Sequence, residues 1–415
     1  MRYFVLVVVA ATYGSAAHAV PRMSLPAGSP CATCHLNSSG GGGRTNVGWE
    51  SIHSVGAIET NLFGGNTFAD GHVSAGFDMR IQFVHLGRPR QVVNDAGTVE
   101  VVDPEFKAIP MQLQPELGIK ATDWLRFTAH YNPGPNTFSD GIICDPVFPG
   151  QSCYEATAVL KLRPDLELRT GMFQPAIGIR PDDHTVYVRA DAYNIRKPII
   201  APNYADPGAE LTYHPISWFR VDAGGVYPQN LDIALNETTQ TADLWPAVYS
   251  ARVTFLPRWD FESQPGGSDD GGDDDFDDFD DPPAPVEPPV SLNTWFGGSI
   301  LGSGDFYFLT GFAGGGFNNG LEMRLEVSHS ARTVDYTTLN GTIAASWAFI
   351  DWLVPAIRVD RAQTDIEDET YRSWQYVFGF EFFPLPFVEI RPEYRIVKTD
   401  EYLLAQPTVQ LHLFY

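Results

Sequence analysis

The sequence predicts an all-β chain. The expected architecture is a transmembrane antiparallel β-barrel of about 16 strands, preceded by a small N-terminal segment of different character. Three observations predict it. Apolar residues recur with period two in segments about ten residues long. The connections between these segments alternate between short and long. Charged residues make only 19%, aromatics 13%, with 38 Gly and 32 Pro, and no later apolar run is long enough for a membrane-spanning helix. The net charge of −24 repels a phosphate backbone, which excludes a nucleic-acid partner.

The elements follow in order. Residues 1–19 read as a secretory signal peptide: Arg2, an apolar stretch from Tyr3 to Thr12, then Ala17-His18-Ala19 as the cleavage pattern. The mature chain then enters a compartment that tolerates disulfides. Residues 20–71 form the second unit, and it carries Cys31-Ala32-Thr33-Cys34-His35. This is the C-x-x-C-H spacing of c-type haem attachment. Two thiols one helical turn apart can each add to a vinyl group of one covalent haem c. The next residue, His35, then supplies the proximal ligand to the iron. A redox dithiol, a Cys31–Cys34 disulfide and half of a zinc site are the alternatives. No second C-x-x-C completes a zinc site, and no βαβ pattern surrounds the motif. For the sixth ligand His53 ranks first, ahead of Met23 and His72. Gly40–Gly43 reads as a tight backbone passage or a link. So short a unit is small for a core of its own, and a covalent ring adds apolar surface.

Residues 72–415 form the barrel unit. Val73, Ala75, Phe77, Met79, Ile81 and Phe83 share one face, and Ser74, Gly76, Asp78, Arg80 and Gln82 the other. Leu321, Met323, Leu325 and Val327 oppose Glu322, Arg324, Glu326 and Ser328 in the same way. Strands are expected near 72–86, 108–120, 124–132, 154–162, 166–174, 207–214, 218–227, 246–256, 291–301, 305–315, 320–329, 336–348, 352–360, 371–382, 387–395 and 405–415. An even count returns the chain to the side on which it started. Arg80, Glu116, Lys120, Arg126, Glu155, Lys161, Glu167 and Arg169 fall on the inward face, and their mixed signs predict pairing across the wall. A β-sandwich or propeller is the soluble alternative, and no blade repeat supports it.

Three loop features remain. Cys144 and Cys153 lie in one Gly/Pro/Asp-rich connection and predict a disulfide that staples it. Residues 265–289 hold nine Asp between Asp269 and Asp281. They read as a disordered acidic linker, on the periplasmic side by strand parity. Docking of a basic periplasmic cytochrome, or a loose cation site, is the sharper reading. Asp182-Asp183-His184 suggests either a metal site or a loop network with Arg180 and Arg189. No G-x-S-x-G occurs, so nothing points to lipid hydrolysis.

The signal peptide, one C-x-x-C-H at Cys31, Cys34 and His35, the alternating strands and the terminal Tyr415 together resemble the monohaem porin–cytochrome fusions of the bacterial outer membrane. The resemblance implies an electron-transfer protein rather than a catalyst of substrate turnover. It would work across or at the outer membrane of a Gram-negative bacterium. The implied partners are a periplasmic electron-transfer protein, an extracellular electron donor or acceptor, and outer-membrane lipid. The apolar core of a bilayer is about 30 Å thick, so a haem hanging in the periplasm cannot carry an electron across it. Residues 20–71 are therefore expected as a plug in the lumen. The alternative is a porin-like channel or surface barrel with a periplasmic haem appendage for local electron transfer or sensing.

Overall fold

The computed structural model describes residues 31–40, 44–50, 56–58, 66–86, 90–93, 99–102, 105–132, 150–179, 185–193, 198–236, 244–261, 290–333, 335–350 and 352–415. Among them, eighteen strands share one sheet. Two are short: Thr67–Phe68, and Arg258–Phe261, which continues the place of its predecessor against the same neighbour. The other sixteen are the staves of a closed antiparallel barrel. In chain order they are β1 (Val73–Leu86), β2 (Glu105–Lys120), β3 (Leu125–Tyr131), β4 (Tyr154–Arg163), β5 (Leu166–Phe173), β6 (Asp206–Ile216), β7 (Phe219–Val226) and β8 (Val248–Phe255). There follow β9 (Val290–Ser303), β10 (Phe306–Phe317), β11 (Leu321–Thr333), β12 (Tyr336–Trp347), β13 (Leu353–Ile366), β14 (Glu369–Leu385), β15 (Val388–Thr399) and β16 (Leu403–Phe414). Each pairs with its sequence neighbours. The seam closes where Asp78–Val84 of β1 pair with Thr408–Phe414 of β16. Closure leaves no edge strand in the wall, so every stave satisfies its backbone groups on both sides.

All sixteen expected strands are present. The largest departure is at 361–370, where a gap was expected. There β13 and β14 run on until they meet at the two-residue turn Glu367-Asp368. The turn needs a positive φ, and Glu367 adopts 53°, a conformation more usual for Gly or Asn. The period of two is realised as an inside and an outside. Leu113, Leu117, Phe127, Leu211, Leu309, Leu325, Val327 and Ile343 stand exposed on the outer surface. Gln112, Gln114, Glu116, Thr128, Glu210, Glu326, Ser328 and Thr342 are buried on the inner one. A wall that is apolar outside and polar inside is built for lipid around it.

Charges of the inner face pair in two directions. Across the wall, Arg169 Nη2 lies 2.7 Å from Glu210 Oε1. Along one strand, residues two apart share a face and meet: Arg80 with Asp78, Arg220 with Asp222, Arg358 with Asp360, and Arg395 with Glu393. The expected pairing across the wall is thus only part of the pattern. Among the other predicted inward charges, Lys120 turns to Asp123 in the short connection after β2, at 2.7 Å.

Candidate functional site

The C-x-x-C-H motif begins as a single helical turn, α1 (Cys31–Cys34). His35 continues it, its N–H donating to the Cys31 carbonyl at 2.8 Å. Neither Cys31 nor Cys34 is in a disulfide; Cys31 is half-buried and Cys34 buried. A second short helix, α2 (Asn46–Glu50), packs on the first. Thr45 joins them. Its N–H donates to the Cys34 carbonyl at 2.9 Å, its hydroxyl to the Thr33 carbonyl at 2.6 Å, and the Gly48 N–H donates to that hydroxyl at 3.2 Å. Gly48 is required here: a Cβ at this position would stand 2.1 Å from the Cys34 carbonyl oxygen. Only glycine lets the two backbones approach so closely.

This helix pair meets inward-facing side chains from opposite parts of the wall. On one flank, Ser38 Oγ donates to Asp222 Oδ2 of β7 at 2.6 Å and accepts from Arg252 Nη1 of β8 at 3.1 Å. Asn37 Nδ2 donates to the Gln174 carbonyl at 3.0 Å. On the other flank, Arg44 Nε lies 3.2 Å from Glu116 Oε2 of β2, and its guanidinium stands 5.2 Å from the Trp49 ring centroid. Trp49 fills a notch left by two glycines. A Cβ on Gly76 of β1 would be 2.6 Å from the indole, and one on Gly118 of β2 would be 3.2 Å from its Nε1. The chain is next described beside the β14–β15 turn, where the Ala57 and Ile58 N–H groups donate to the Phe383 and Pro384 carbonyls. It enters β1 after His72.

The connection between β5 and β6 also folds inward. The Gly178 N–H donates to Ser299 Oγ at 2.8 Å and the Ile179 N–H to Glu326 Oε1 at 3.0 Å. Farther along, the Ala190 carbonyl accepts from Asn340 Nδ2 at 2.7 Å, and the Ala192 N–H donates to Thr364 Oγ1 at 2.8 Å. Ile177, Ile199, Ile200 and Tyr204 of this connection pack with Leu231 and Leu235 of α3 (Gln229–Asn236). Val226, Val248, Leu301, Phe306 and Phe308 complete this core from the ends of the wall strands. In the sequence both stretches are gaps between expected strands, 175–206 and 228–245. A signal was present: Phe306-Tyr307-Phe308-Leu309 is apolar on both faces, which a strand with one wet face does not need.

The donor set of α1 fits a c-type haem: two thiols one turn apart, outside any disulfide, with a histidine at the next position. Of the proposed sixth ligands, His53 and Met23 lie outside the described residues. His72 immediately precedes β1, and its Nδ1 lies 2.7 Å from the Lys120 carbonyl. Residues 1–19, Cys144, Arg180, Asp182-Asp183-His184 and the acidic linker 265–289 also lie outside the described residues. Cys153 and Arg189 are buried. Among the described residues no group of three His, Cys, Asp or Glu is arranged to hold a metal ion.

No protein-family model matches the chain, and no curated protein does. The chain is similar in structure to the outer-membrane channel DcaP of Acinetobacter baumannii, with 8% identity, TM-score 0.49, and 83% of this chain and 97% of that one covered. It is similar to OprB of Pseudomonas putida, with 13% identity, TM-score 0.49, and coverage of 83% and 95%. It is also similar to an anion-selective porin from Comamonas acidovorans, with 11% identity, TM-score 0.48, and coverage of 83% and 99%. The closed wall of sixteen antiparallel strands, apolar outside and polar inside, defines the class: a transmembrane-type β-barrel.

Proposed function

We propose that this chain is an outer-membrane barrel that carries a covalent haem c on Cys31 and Cys34, with His35 as the proximal ligand, and that it serves electron transfer across the membrane. The observation that carries the reading is the contact of the C-x-x-C-H segment with inward-facing wall residues on both flanks, Asp222 and Arg252 on one and Glu116 on the other. Bound there, the group would supply reversible one-electron chemistry inside a wall whose apolar band otherwise separates the two aqueous sides. The chain's own residues hold and orient the segment. Thr45 ties α1 to α2, Arg44 and Ser38 anchor it, and Trp49 seats it in the glycine notch. A periplasmic redox protein and an extracellular donor or acceptor are the partners this reading requires.

The second reading, a porin-like channel, is favoured by the porin-like wall and by the polar, charged inner face. Here the barrel passes small solutes, and the haem segment acts locally. A Cys144–Cys153 disulfide would belong to either reading, with Cys153 buried beside the start of β4.

One experiment separates the readings. The protein, matured with a cytochrome c assembly system, is stained for haem after denaturing electrophoresis and then placed in liposomes. Haem-stained wild type should let an external reductant reduce an enclosed, impermeant acceptor, and Cys31→Ala/Cys34→Ala should lose both stain and transfer. Large open-pore conductance, unchanged on deleting residues 20–71, would leave the channel reading standing. A wild type without stain would remove the haem.

A further inference from the structure

Arg252 reaches from the inner face of β8 to the N-terminal segment and is only 2% exposed. Its Nη1 donates to Ser38 Oγ at 3.1 Å and stands 3.8 Å from Asp222 Oδ2, and its guanidinium lies 4.7 Å from the Phe312 ring centroid. Asp222, 1% exposed, accepts from Ser38 Oγ and from Thr212 Oγ1, both at 2.6 Å, and Arg220 Nε lies 3.2 Å away. One permanent cation and one anion therefore meet at the same serine hydroxyl. That serine is three residues beyond His35.

Charges fixed where water is excluded act more strongly than charges on a wet surface. Loss of one electron from a haem site, to a mediator outside, leaves the site one positive charge richer. A neighbouring cation opposes that change and a neighbouring anion favours it. We infer that Arg252 and Asp222 are positioning residues that hold the segment at Ser38 and set the reduction potential of a haem on Cys31 and Cys34, in opposite directions. The inference rests on the haem reading above and adds to it which wall residues tune the group.

The test is a potentiometric titration of the full-length, haem-loaded protein in detergent, with dye mediators. Arg252→Gln should lower the midpoint potential, Asp222→Asn should raise it, and Arg252→Lys should stay near wild type. Ser38→Ala removes the shared hydrogen bond and keeps both charges, so it should move the potential less than either charge change. Loosened packing would admit water in both charge variants and shift them in the same direction; that result, or no shift, overturns the inference. If Arg252→Gln fails to fold, Asp222→Asn decides alone: a rise supports the inference, and a fall or no change defeats it. Wild type lacking haem stain would instead defeat the haem reading itself, so the two failures are distinguishable.

Discussion

The two halves of the wall are built alike and furnished differently. Strands β1–β8 are joined on one side by long connections, and the one between β5 and β6 returns into the barrel to bond wall residues as far round as Thr364 of β13. Strands β9–β16 are joined on the same side by connections of only two or three residues, 304–305, 334–335, 367–368 and 400–402. The contacts of the described residues between Cys31 and Glu50 with the wall strands lie on β1, β2, β7 and β8. A stave needs only an apolar outside and a polar inside. What folds inward needs particular partners: the C-x-x-C-H segment finds them on the first half, at Glu116, Asp222 and Arg252, and the β5–β6 connection finds most of its own on the second, at Ser299, Glu326, Asn340 and Thr364.

That contrast can be tested from its strongest point downward. Arg44→Met would leave Glu116, only 8% exposed, without its cation. Breaking a buried pair from one side costs about 3–5 kcal/mol. The expected outcome is a lower urea midpoint, partly restored by the second change Glu116→Gln. The mirror experiment in the second half is Val327→Arg. Val327 is 41% exposed at the middle of β11, and an arginine facing lipid at mid-depth costs about 2–4 kcal/mol. Refolding into liposomes should report a loss of that size.

A smaller effect is expected from Gly118→Val. The new side chain enters the notch where the Trp49 indole stands 3.2 Å from the position of a Cβ, and overpacking of this kind costs about 1–3 kcal/mol. Because β2 stays paired, the barrel should remain heat-modifiable on gels, while Trp49 fluorescence shifts toward that of a solvated indole. The smallest effect is Arg258→Ala. Its partner Asp260 is 2.8 Å away, but the two side chains are 60% and 55% exposed. An exposed pair contributes about 0–1 kcal/mol, so the urea midpoint should barely move. If Arg44→Met proves as mild as Arg258→Ala, the helix pair is not held by the first half of the wall.

How much of this could be read from the chain differs between wall and filling. The wall was legible because a strand writes its two environments into alternate residues: Leu321, Met323, Leu325 and Val327 outside, Glu322, Glu326 and Ser328 inside. The C-x-x-C-H spacing was legible because it lies within five consecutive residues, which the structure forms as one helical turn. The partners of the motif were not. Ser38 meets Asp222 across 184 positions, and Asn37 meets Gln174 across 137, and no local pattern encodes such distances. The glycine notch was visible only as two residues on an inward face; its meaning needed Trp49 beside it. The inward fold of the β5–β6 connection had a trace in Ala176-Ile177 and Ile199-Ile200, which are apolar where an exposed loop would be polar. The length of β13 and β14 was missed because Arg361, Gln363 and Asp365 interrupt the apolar rhythm. They do so by bonding one another along the strand.

That last habit reaches beyond stability. Arg80 with Asp78, Arg220 with Asp222, Arg358 with Asp360, and Arg395 with Glu393 each find a counter-charge two residues away on their own strand. Such a strand brings its own neutrality with it. When a hairpin is added to a growing wall during biogenesis, these arginines need not wait for a neighbour that has yet to arrive. The cost of an uncompensated ion beside lipid is then avoided at each step of insertion. Arg169, matched to Glu210 on the next strand, and Arg44, matched to Glu116 on the wall, lack this independence. Each gains its counter-charge only once the next strand or the N-terminal segment is in place.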